Sequence, residues 1–69
     1  MAQIKLKPMN ITYDKQADAL YIYLQKGVFV ANKEIEEGVI LDIGKNNTLL
    51  GVEILNASAR VPIENLVSA

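Results

Sequence analysis

The seven residues Leu49-Leu-Gly-Val-Glu-Ile-Leu55 are apolar on both sides of an extended strand except for one carboxylate, and their reading decides the fold. Alternation sends Leu50, Val52 and Ile54 to one face and Leu49, Gly51, Glu53 and Leu55 to the other, so neither face is written for water. Each face needs a cover. This segment is therefore expected to be the most buried strand of a small β-rich domain.

Working outward, Gly44-Lys-Asn-Asn-Thr48 has the Gly and Asn content that left-handed turn positions require, and it joins Val39–Ile43 to the Leu49 strand as a hairpin. Gly38 interrupts the pattern before it. Upstream, Val28-Phe-Val-Ala31 opens another strand, and the polar Asn32–Glu36 stretch is either its bulged continuation or an exposed end. Lys26-Gly27 is expected to be the hairpin turn feeding that strand. Tyr21-Ile-Tyr23 suits a pleated surface better than a helix, which places a strand over Ala19–Gln25. The segment Asp14–Asp18 is then a hairpin connection, with a helix start capped by Asp14 as the competing reading. Met9, Ile11 and Tyr13 alternate with polar residues as a half-buried strand, and residues 1–8 read as an edge strand or arm because Pro8 gives no ladder hydrogen. Pro62 suits the first position of a short helical turn over residues 62–69, with Ile63 and Leu66 or Val67 inward. The expected fold is mainly β, with α+β as the alternative: one domain, residues 1–69, with an antiparallel sheet of four to five strands in meander order and a C-terminal helical turn.

A chain of 69 residues hides only about 60% of its unfolded surface on folding, so such a domain is marginal alone. There is no cysteine and no histidine, which removes disulfides and the usual zinc and thiolate sites. Sharing a core between copies is the remaining support, and a homodimer or larger assembly is expected. Seven basic and eight acidic side chains give a net charge of −1, which supplies no counterion-release drive toward nucleic acid. No apolar run approaches the roughly 20 residues that span a bilayer. The expectation is a cytoplasmic protein with no cofactor, no nucleic-acid partner and no membrane partner.

The blocks Ile11-Thr-Tyr-Asp14, Asp18-Ala-Leu-Tyr-Ile22, Gly38-Val-Ile-Leu-Asp42 and Gly51-Val-Glu-Ile-Leu-Asn-Ala-Ser58 together resemble the YuzE-like family of small prokaryotic proteins, a domain of unknown function. The likeness lies in the order and spacing of the blocks over about Met9 to Ser58, not in any single one. It implies a small antiparallel β domain with no assigned activity, in a class suspected of serving as antitoxins. Matching positions are Tyr13, Asp14, Asp18, Ala19, Leu20, Tyr21, Gly38, Asp42, Gly51, Glu53 and Ala57, and the resemblance attaches no catalytic role to them.

Four carboxylates are candidate functional or metal-binding residues. Asp14 and Asp18, four apart around a turn, can converge on a hard cation, although turn aspartates commonly accept local backbone amides instead. Glu53 lies in an otherwise apolar strand and must be paired, protonated or near water. Asp42 on the neighbouring strand can join it in a two-carboxylate patch for acid–base work or metal binding, while pairing with a basic residue such as Arg60 is the plainer outcome. Tyr21 and Tyr23 share a strand face, and Glu34, Glu36 and Glu37 form an acidic cluster; these five are the candidates for binding a protein partner. Ser58 and Ser68 are the only serines and no histidine can act as their base, so the balance is against an enzyme. The favoured reading is a non-enzymatic, self-associating protein that binds a protein partner, in an antitoxin-like role. The alternative is a carboxylate-based divalent-metal binder or minor hydrolase.

Overall fold

Strand Leu49–Leu55 lies at the centre of a five-stranded antiparallel sheet, with a ladder partner on each of its edges. In the computed structural model, which describes residues 10–66, the elements run β1 (Asn10–Asp14), β2 (Ala19–Tyr23), β3 (Phe29–Glu36), β4 (Val39–Gly44) and β5 (Leu49–Leu55). Two one-turn helices follow, α1 (Ala57–Arg60) and α2 (Ile63–Leu66). The expected edge strand or arm over residues 1–8 and the tail over residues 67–69 lie outside the described residues.

The order across the sheet is β1-β2-β5-β4-β3, which corrects the expected meander. A meander would keep β2 beside β3. Instead β5 pairs with β2 on one side and β4 on the other, and β3 is sent to the far edge. Local turn residues announce that a chain bends but not which strand it then joins; the most apolar strand takes the centre because ladder partners on both edges hide it best. Lys26-Gly27 is accordingly no hairpin turn. Segment 24–28 crosses the sheet end, with the Leu24 and Gln25 amides donating to the Leu50 carbonyl and the Lys45 amide donating to the Val28 carbonyl. Gly27 is needed for room: a Cβ there would stand 2.6 Å from Cδ2 of Leu50.

The register sorts the side chains into rows, because residues paired across an antiparallel ladder point to the same side. One face carries the rows Ile11–Ile22–Val52–Leu41 and Tyr13–Leu20–Ile54–Val39. It is aliphatic almost throughout. The other carries Thr12–Tyr21–Glu53–Ile40–Glu34 and Asn10–Tyr23–Gly51–Asp42–Asn32. Glu53 thus belongs to a mixed aromatic and polar face, so a carboxylate there keeps water within reach.

The alternation expected for Leu50 with Val52 and Ile54 is broken. The register slips between Asp42 and Ile43, leaving Leu50 in a bulge, and its side chain turns beneath Gly27 and lines the same depression as Tyr21 and Asp42. Strand β3 is the bulged continuation, eight residues long and exposed along its whole length, with slips at Phe29/Ala31 and Glu34/Glu36. The Gly44–Thr48 turn forms as its composition requires, with Asn46 and Asn47 left-handed at φ 63° and 61° and the Gly44 amide donating to the Thr48 carbonyl. Pro62 immediately precedes α2 and its carbonyl accepts the Asn65 amide, whereas α1 has no sequence precedent beyond small residues. Leu20 and Ala57 are fully buried where β2 meets α1.

Candidate functional site

The aromatic face is organised by Tyr21. Its ring lies across β5 above Gly51, and its hydroxyl donates to Oδ2 of Asp42 on β4 at 3.0 Å. A side chain at Gly51 would collide with the phenol and stand 2.9 Å from the Ile22 carbonyl oxygen, so the missing Cβ is what lets β2 reach β4 over the strand between them. Burial raises the Tyr21 pKa above the ordinary phenol value; the hydrogen bond to Asp42 and the charges of Asp42, Tyr23 and Glu53 push it further. Asp42 and Glu53 therefore flank one ring, offset by two residues along β5, instead of facing each other directly. Beside them Tyr21, Tyr23, Phe29, Asp42 and Leu50, with Lys26 and the crossing segment, line an open depression of about 490 Å³.

A second constellation closes the other end of the sheet. Asp18, left-handed at φ 51°, accepts the Tyr13 hydroxyl at 2.6 Å on Oδ1, the Ser58 amide at 3.0 Å on the same oxygen and the Ser58 hydroxyl at 2.7 Å on Oδ2. Its carbonyl accepts the Ala57 amide. Three donors favour the ionised form, so the Tyr13 hydrogen bond, then those from Ser58, hold the Asp18 carboxyl below the usual aspartate range. The same bond, with Asp18's charge, pushes the Tyr13 phenol up.

Asp14 and Asp18 do not converge on a common point. Oδ1 of Asp14 accepts the amides of Gln16 and Ala17, a turn-closing use, while Asp18 spends both oxygens on Tyr13 and Ser58. Glu53 does not pair with Arg60. The guanidinium reaches instead to Glu36 and to the Glu37 carbonyl, tying α1 to the β3–β4 turn. Glu34 accepts the Gly38 amide at 3.1 Å, so two of the three clustered glutamates stabilise the turn they flank. Among the described residues no group of three histidine, cysteine, aspartate or glutamate side chains is placed to hold a metal ion. Sequence reasoning missed Ser58 as the partner of Asp18, and Phe29, Lys26 and Leu50 as neighbours of Tyr21. Only the pairing of strands distant in sequence brings those together; a signal for Ser58 existed in its place at the end of the Ala-Ser block.

These features define a small single-sheet antiparallel β protein, latched at one end by Asp18 and carrying an aromatic, carboxylate-bearing depression at the other. The chain belongs to the family described as protein of unknown function (DUF2283), whose model matches residues 10–58. The match runs from the first residue of β1 to the serine that completes the Asp18 latch. No curated protein and no solved structure matches the chain. Among the described residues no helix is long and apolar enough to cross a membrane.

Proposed function

We propose that this protein works by association and not by catalysis, its aliphatic sheet face packing against the same face of a second copy. The observation that carries this reading is the row Ile11–Ile22–Val52–Leu41, four strands wide and only half-buried, where the described residues build one sheet and no second. Stable domains close such a face with a second layer about 10 Å away. The molecule measures 35 × 31 × 18 Å, so its broad side is large enough for the roughly 800 Å² that each partner contributes to a stable interface. Two copies stacked face to face would supply the missing layer.

A protein partner, with the pair in a YuzE-like, antitoxin-like role, is what the resemblance adds; the exposed β3 edge offers a place for it. The carboxylate-based metal or hydrolase reading is weaker, because Asp14 and Asp18 already satisfy donors of their own chain. Light scattering at micromolar concentration tests the association. The expected particle is twice the 7.6 kDa chain mass or a larger multiple, and a stable 7.6 kDa particle overturns the reading.

A further inference from the structure

We infer that the depression on the aromatic face is a binding site for an organic cation, a guanidinium or alkylammonium group held by Asp42 against the rings of Tyr21, Tyr23 and Phe29. The cavity, about 490 Å³, is of the size that small ligands occupy. Leu50 and three aromatic rings line it, and its charged lining residues are Asp42 and Lys26. Ring faces attract cations through their quadrupole, and a carboxylate beside them adds a directional acceptor.

Charge complementarity selects the occupant. Asp42 is half-buried and gives one oxygen to the Tyr21 hydroxyl, which fixes the carboxylate and leaves its remaining lone pairs for a ligand. Glu53, on the other flank of the same ring, adds a second negative charge. The ion pair present among the described residues is Arg60 with Glu36, so among them neither Asp42 nor Glu53 has a cation held against it. Lys26 lines the depression on the exposed crossing segment but makes no ion pair with Asp42. A planar guanidinium stacks on a ring while donating to a carboxylate in its own plane, which suits walls and acceptor together. The site is also built in advance: Gly51 lets Tyr21 lie flat across β5, and Gln25 Nε2 on the Leu49 carbonyl, with the Leu24 and Gln25 amides on that of Leu50, tethers the rim.

Titration with agmatine, read by ring-proton shifts of Tyr21, Tyr23 and Phe29 and by tyrosine fluorescence, tests this; the chain has no tryptophan to mask the signal. Saturable shifts confined to those rings are expected. Asp42→Asn, with its fold verified by circular dichroism, should bind about tenfold or more weakly. Phe29→Ala, at an exposed edge position, should weaken binding as well. Lys26→Ala removes a like charge and should leave agmatine binding equal or tighter. Shifts that stay linear to about 50 mM, far beyond the millimolar affinities expected of a weak small-ligand site, overturn the inference. So does unchanged binding in folded Asp42→Asn, and so does loss of binding in Lys26→Ala, which would mean the depression takes an anion. The measurement is made per chain, so it stands or falls apart from self-association.

Discussion

Asp18 holds a left-handed backbone that a side chain tolerates only at a cost, and three donors converge on its carboxylate to hold it there. The pH dependence follows. An unfolded aspartate titrates near 3.9, and the folded carboxyl lies lower, so between those values the unfolded chain binds more protons. The stability Asp18 contributes is therefore fully present above about pH 5 and lost as pH falls through its folded value. Tyr13 acts in the opposite direction. Its phenol is raised in the fold, so the stability it contributes is intact below about pH 10 and falls as pH rises past the unfolded value. Asp18→Asn keeps the shape, tolerates the left-handed backbone and removes the charge. In urea titrations it should be less stable than the natural protein at pH 7, with the two converging as pH falls below the folded carboxyl's lowered value, where Asp18 is itself neutral. A gap that stays constant across this range would show that ionisation of Asp18 plays no part.

At the scale of elements, β3 is the exposed edge, eight residues long and bearing Phe29, Val30 and Ile35 in water. Such an edge invites another strand, and two bulges with the charges of Lys33, Glu34 and Glu36 discourage it. Lys33 is the telling residue. It pairs with Leu41 at the end of the row Ile11–Ile22–Val52–Leu41, so it places a charge where the aliphatic face meets the free edge. Lys33→Val should change folding free energy by no more than about 0.5 kcal/mol while producing species larger than those of the natural protein in light scattering. An unchanged mass distribution would show that the bulges alone protect the edge. The elements themselves were legible in the sequence: β5 matches its apolar run, the Asn-rich turn its left-handed positions, and β3 its bulged continuation. What the sequence did not carry was pairing. The crossing at Lys26-Gly27, the turned Leu50 and the choice of Glu36 by Arg60 all follow from β5 entering between β2 and β4, a contact between segments far apart in the chain. The site divides the same way, since Asp14 closing its own turn is local and could be read, whereas Tyr21 reaching Asp42 over Gly51 could not.

For the whole molecule the decisive quantity is how the aliphatic face is covered. Ile11, Ile22, Leu41 and Val52 are each half-buried, and Leu20 and Ala57 alone among the described apolar residues are sealed completely. A core that small leaves little margin against the roughly 1 to 2 kcal/mol of backbone entropy lost per ordered residue, so a second copy on that face would contribute to folding itself. Folding coupled to dimerisation makes the melting temperature depend on protein concentration. Two substitutions on opposite sides of the sheet separate this from a simple loss of stability. Val52→Asp puts a charge in the middle of the aliphatic row, whereas Thr12→Asp puts the same charge on an exposed position of the aromatic face. The natural protein and Thr12→Asp should melt at temperatures that rise with concentration and scatter as the same oligomer. Val52→Asp should fall apart to the 7.6 kDa chain or unfold, with a melting temperature independent of concentration where one remains. If Val52→Asp keeps the oligomer and the concentration dependence, the copies meet elsewhere and the aliphatic face is not the seam.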